Sequence, residues 1–163
     1  MLKRLSVVLV LFVVAGCATK APMNPQEARE ALPSAWGGKK EQFSVKGDYK
    51  STVRKLKRLS YSCFNKTVQG TTQTMMSNQV YKYSYTPTVK IGDKKTELYL
   101  QYNPGGLQLY DAPKDGSYIL VMDIFNKGAG NMDVDLYTTS FWDTSSDAVK
   151  GWIRGEDEMC PEL

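Results

Sequence analysis

Residues 48–63, DYKSTVRKLKRLSYSC, decide how the rest of the chain is read. Tyr49, Val53, Leu56, Leu59 and Cys63 recur at three- and four-residue steps, which places them on one stripe of an amphipathic helix. Gly47-Asp48 breaks the preceding segment, and Asp48 stands where an N-cap is wanted. Most of the stability of such a helix comes from packing its apolar stripe, so the flanking segments must supply a partner surface.

Both flanks read with a period of two. On the N-terminal side, Gln42-Phe43-Ser44-Val45-Lys46 alternates polar and apolar, as a short strand does. On the other side, Val80–Tyr85 (VYKYSY) and Glu97–Tyr102 (ELYLQY) are strand-like, with Gly92-Asp93 as the turn between them. Pro87 places the end of the first of these at an edge or a bend. Asn103-Pro104-Gly105-Gly106 is a second turn, leading into Leu107–Tyr110. Asp111–Gly116 is a third, before Tyr118–Phe125, and Asn126–Gly130 a fourth, before Met132–Phe141. A second helix is expected over Thr144–Arg154, with Ala148, Val149, Trp152 and Ile153 on one face and Thr144 with Asp147 as a capping-box-like start.

The order is β-α-β4/5-α. Strands joined by short turns pair antiparallel, and one face of their sheet needs cover. The predicted fold class is therefore α+β: an antiparallel meander sheet of four to six strands, covered on one face by two helices. This element order is similar to that of TBP-like and helix-grip domains, a likeness of topology that implies nothing about function.

The first seventeen residues carry a different message. Lys3 and Arg4 precede an apolar run, Val7–Val14, which ends at Ala15-Gly16-Cys17. A basic start, a short apolar core and small residues make a signal peptide. The run is too short for a permanent span, which needs about 20 apolar residues. Val14-Ala15-Gly16-Cys17 resembles the lipobox of bacterial lipoproteins. That resemblance implies cleavage before Cys17, acylation of Cys17, and a lipid-anchored cell-envelope protein. Ala18-Thr19, with no Asp after the Cys, implies an outer-membrane location facing the periplasm in a Gram-negative cell. The expected organisation is a signal peptide over 1–16, a lipidated N-terminus and flexible tether over 17–40, and a single domain over 41–163. A turn of helix from Pro25 to about Ala31 is plausible within the tether.

Cleavage removes two basic residues, so the formal charge falls from +4 for the whole chain to +2. If Cys17 carries lipid, Cys63 and Cys160 remain as an even pair in an oxidising compartment, where a disulfide is the default expectation. The alternative is two buried free thiols. The chain contains no histidine, so a Cys–His pair is excluded and acid–base work would fall to carboxylates, Lys or Tyr. Glu41, Glu97 and the terminal glutamates have no evident shared context. No catalytic residue and no cofactor is assigned.

Three surfaces are candidates for binding. Residues 37–70 hold nine basic and two acidic side chains, while residues 104–163 hold four basic and eleven acidic. Lys50, Arg54, Lys57 and Arg58 crowd the first helix and suit anionic headgroups or an acidic protein, with a solvated helix face as the default. Nucleic acid is a poor partner in this compartment. Tyr81, Tyr83 and Tyr85 share one strand face, with Tyr99 and Tyr102 on the next strand; such rows either bind or pack beneath helices. Asn131-x-Asp133-x-Asp135 has the spacing of the first ligands in an EF-hand loop, but Leu136 stands where Gly is needed and Trp142 where Glu is. No metal site is assigned to this acidic stripe.

These readings lead to a non-enzymatic binding or assembly module whose partners are envelope proteins or the anionic membrane surface. A second reading starts from Tyr61-x-Cys63 and the near-terminal Cys160, which resemble the bridged ends of membrane-bound lysozyme-inhibitor lipoproteins. That resemblance implies an inhibitor of a cell-wall hydrolase. Those domains are smaller and all-β, and their Ser- and Lys-bearing central motif is absent here. An envelope hydrolase is a third reading, and it requires a cleft with paired carboxylates.

Overall fold

The computed structural model describes residues 21–73, 78–105, 112–156 and 158–163. The signal segment, Cys17 and the strand expected over 107–110 lie outside the described residues. In chain order the elements are α1 (Pro25–Ser34), β1 (Gly38–Lys46), α2 (Tyr49–Phe64), β2 (Lys66–Gln73), β3 (Asn78–Ile91), β4 (Lys95–Asn103), β5 (Ser117–Gly128), β6 (Asn131–Thr139), a 3-10 turn (Ser140–Trp142) and α3 (Asp143–Arg154). The fold is α+β, an antiparallel six-stranded sheet packed with helices.

Sheet order is β1-β6-β5-β4-β3-β2. Strands β3 to β6 follow the expected meander, β2 (Lys66–Gln73) is an edge strand that the sequence reading did not include, and β1 joins beside β6 with Val45 opposite Met132. The two strands flanking α2 therefore sit at opposite edges, and α2 carries the chain across the whole sheet. Its stripe of Tyr49, Val53, Leu56, Leu59, Cys63 and Phe64 is buried along the way. Asp48 caps its start: Oδ1 accepts from the Ser51 amide at 2.8 Å, and these local hydrogen bonds lower the Asp48 carboxyl pKa. At the far end Phe64 meets Trp152 of α3, ring centroids 5.3 Å apart. α2 and α3 cover one sheet face, over Leu98, Leu100, Leu120, Met122, Ile124, Val134 and Leu136. Burial of each such side chain contributes ~1.5–3 kcal/mol.

Cys63 and Cys160 form a disulfide with Cα atoms 5.1 Å apart. It pins the tail after α3 against α2, where Trp152 Nε1 also donates to the Met159 carbonyl at 3.1 Å.

Pro87 lies opposite Leu100 inside β3, but β2 stops at Lys66 opposite Tyr85. From Thr86 onward β3 has only β4 beside it, so the proline occupies an edge stretch where its missing N–H costs no ladder bond.

Three expectations are corrected. The tether does not extend to residue 40, because Pro25–Ser34 is a full helix on the second sheet face and β1 begins at Gly38. Cover is correspondingly two-sided: Ala28 and Leu32 of α1 pack on Tyr99, Val121 and Tyr137. α3 starts at Asp143 without a side-chain cap, so Thr144 and Asp147 make no capping box; Ser146 Oγ instead donates back to the Asp143 carbonyl at 2.9 Å. Gly155 at φ 78° closes α3 in the left-handed conformation that only glycine adopts without cost.

Candidate functional site

The first turns of α2 pass over the β3–β4 turn without filling the space beneath. Tyr49 fixes the gap: its hydroxyl donates to the Gly92 carbonyl at 2.7 Å and lies 2.7 Å from Thr96 Oγ1. Beside it opens a cleft of about 470 Å³ lined by Lys50, Val53, Arg54, Ile91, Asp93 and Asn126. Val53 and Ile91 provide apolar wall, and Lys50 and Arg54 supply cationic groups at the mouth. Asn126 braces the turn by donating from Nδ2 to the Asp93 carbonyl at 3.1 Å.

Two of the predicted basic residues, Lys50 and Arg54, thus belong to one cleft. Lys57 continues the exposed row, and none of the three enters an ion pair among the described residues. Arg58 differs, because the disulfide-held tail brings Glu158 to 2.8 Å from its guanidinium and to 4.0 Å from Lys55 Nζ. Both pairs have a solvent-exposed partner, so each is worth at most ~1 kcal/mol. Arg58 is locally neutralised, and the unpaired charge is concentrated at Lys50, Arg54 and Lys57.

The tyrosines divide between the two faces. Tyr83, Tyr85 and Tyr102 pack with Trp142 beneath the helix layer, Tyr85 and Tyr102 at 5.3 Å and Tyr102 and Trp142 at 5.1 Å. Burial raises the Tyr85 hydroxyl to about 12, helped by Tyr102 and Tyr83 beside it. Tyr81 is more exposed, stacks on Tyr83 at 6.0 Å and lies over Gly70 of β2, where a Cβ would meet its ring. The expected row is therefore mainly core, and only Tyr81 remains as surface. Tyr99 faces the other way, toward α1.

Asp133 and Asp135 share the second face as the alternation required, but each is engaged across the strand. Ser44 Oγ donates to Asp133 at 2.7 Å and Gln42 Nε2 to Asp135 at 2.8 Å. The Ser44 hydrogen bond, with Lys127 at 3.3 Å, lowers the Asp133 carboxyl pKa. Among the described residues no group of three metal-ligating side chains converges.

Sequence reasoning missed one cluster. Arg29 of α1 points into the sheet and donates to both Asp123 oxygens, Nε to Oδ2 at 2.7 Å and Nη2 to Oδ1 at 2.6 Å, and from Nη2 to Glu97 at 2.6 Å. Lys95 lies 2.8 Å from Glu97 and 3.1 Å from Asp123, and the Tyr99 hydroxyl donates to the second Glu97 oxygen at 2.5 Å. Burial opposes ionisation of Glu97, but hydrogen bonds from Lys95 and Tyr99 and the charges of Lys95 and Arg29 bring it down to about 2. The Asp123 hydrogen bond raises Arg29 above its ordinary value, and burial and the bond to Glu97 raise Tyr99. Two cations and two carboxylates satisfy one another, so this cluster clamps α1 to the sheet and leaves no acid or base poised for transfer. A signal existed in Glu97-x-Tyr99 and Asp123, polar residues alternating within strands otherwise apolar.

Comparison with protein-family models, with curated proteins and with solved structures finds no match to this chain.

Proposed function

We propose that the chain is a lipid-anchored cell-envelope protein, outer-membrane and periplasm-facing, that works as a non-enzymatic binding module. The anchor reading rests on Val14-Ala15-Gly16-Cys17 and is supported by the Cys63–Cys160 disulfide, a bond at home in an oxidising compartment. The binding reading is carried by one observation: Lys50 and Arg54 flank an apolar-walled cleft and stand without ion-pair partners among the described residues. Such a site favours a partner that presents a carboxylate or phosphate beside an apolar group. The fitting occupant is an acidic segment of an envelope protein.

In-cell crosslinking of the acylated protein, followed by comparison with the Lys50→Glu/Arg54→Glu variant, tests this. The expected result is an envelope-protein adduct that the charge reversal abolishes while the circular dichroism spectrum is kept. An adduct of equal yield in the variant sinks the cleft as the binding site. A hydrolase inhibitor would instead slow lysozyme at micromolar excess; the binding-module reading expects its rate unchanged.

A further inference from the structure

The end of the sheet opposite the cleft carries two exposed aromatic rings. Trp36, just after α1, is 81% exposed and Phe141, just after β6, is 68% exposed. They pack on each other with centroids 5.2 Å apart. Both cluster where β1 begins and β6 ends: Gly38 pairs with Thr139, and Ser140 N donates to the Gly37 carbonyl at 2.8 Å. Large rings rarely stay in water without a reason, and tryptophan in particular suits a membrane–water boundary.

The chain's own geometry says what they face. Ala21 and Pro22, the first described residues, line an apolar groove of about 460 Å³ together with Ala31, Leu32, Ala35 and Trp36. The chain thus enters the fold beside Trp36. Cys17 is four residues before Ala21, and four residues span at most about 14 Å. A lipid on Cys17 therefore holds this end of the domain within reach of the headgroups.

We propose that the Trp36–Phe141 end is a second membrane contact, its rings seated in the bilayer interface that receives the Cys17 acyl chains. This rests on the lipid-anchor reading above. It adds an orientation. Strand β6 runs from Thr139 at the aromatic end to Asn131 at the other, nine residues or about 27 Å. Asn131 pairs with Lys46, next to the Asp48 cap of α2. The cationic cleft is thereby held away from the membrane and toward the periplasm, where it meets soluble or transmembrane partners and not the headgroups beneath its own anchor.

The test uses acylated protein extracted from the native membrane and reconstituted into phosphatidylcholine vesicles with or without brominated acyl chains. Wild type is compared with Trp36→Phe, a conservative change at an exposed position. Trp152 is buried, and Trp142, next to Phe141, is present in both proteins, so the difference between them reports on Trp36. The expected result is bromine quenching in wild type that is largely lost in Trp36→Phe. Wild-type protein that floats with the vesicles but shows equal emission in both overturns the proposal and leaves the anchor intact, as it would if these rings docked a protein instead. Intact mass and flotation of the same sample report on the anchor separately. A mass without acyl chains, with no flotation, overturns the anchor and this contact with it.

Discussion

Arg29 and Asp123 are 94 residues apart in sequence and meet as a two-pronged ion pair between α1 and the middle of the sheet, at 2.7 and 2.6 Å. The Asp123 side chain is 4% exposed and that of Arg29 13%, so neither charge is well hydrated. Such a pair adds little over an apolar contact, but breaking one side of it strands the other charge. α1 is held to the sheet by this polar clamp together with the apolar packing of Ala28 and Leu32.

Replacing Arg29 should show this asymmetry. Arg29→Met leaves Asp123 without its main partner and is expected to cost about 3 kcal/mol, the low end for a broken buried pair because Lys95 remains 3.1 Å away. Urea unfolding measures the cost, and hydrogen exchange over residues 25–34 should accelerate. Arg29→Lys should recover only part of it, since an ammonium cannot fork onto both oxygens. An unchanged urea midpoint for Arg29→Met would show that α1 is held by its apolar contacts alone.

Glu97 makes the same clamp sensitive to acid. Its folded-state value of about 2 lies below the ordinary 4.5, so the ionised form is favoured by folding. The contribution is fully present above about pH 4.5 and is lost as pH falls through about 2. Wild type should lose stability across that window, and Glu97→Gln should start lower and show a shallower acid slope. Urea midpoints between pH 5 and 2, roughly the span over which a depressed carboxylate titrates, decide it: parallel slopes for the two proteins would remove Glu97 from the account.

The disulfide closes a loop across a sequence separation of 97 residues. Cys160→Ser should lower stability by about 2–4 kcal/mol, with the loop-entropy ceiling for this length at ~4.7 kcal/mol. The tail carrying Glu158 and the Met159 carbonyl should then detach, exposing Trp152 Nε1 and freeing Arg58. Tryptophan fluorescence during chemical unfolding of oxidised and reduced protein reads both effects. Coincident transitions would mean the bridge adds nothing beyond the packing of α2 on α3.

The α2 stripe, the Asp48 cap and the face formed by Val149, Trp152 and Ile153 were all legible because each is a local periodic pattern within one element. The edge position of Pro87 followed from the chemistry of one residue. The packing of α1 was not legible. Only Ala28 and Leu32 of its ten residues are buried, and its polar clamp to the sheet is made by Arg29, a residue that normally signals solvent. The candidate cleft was half legible: Lys50 and Arg54 stood out as charge, while Ile91, Asp93 and Asn126 come from the end of β3, the turn after it and β5, far along the chain. The tyrosine row was read correctly as one face, yet strand alternation could not say that this face was the covered one.

Local order determined α2, α3, most of the strands, the alternation of faces and an even cysteine pair, because periodicity and caps act over a few residues; it did not mark β2 or the full length of α1. It also carried the linear signal, Val14-Ala15-Gly16-Cys17, on which the lipid-anchor proposal rests. Only the tertiary structure decided that β1 lies beside β6, that α2 crosses the full sheet, and that Arg29 reaches Asp123 while Trp36 meets Phe141. These depend on which distant surfaces bury each other. Hydrophobic burial is non-directional, and a single chain offers many such pairings until the whole core is assembled.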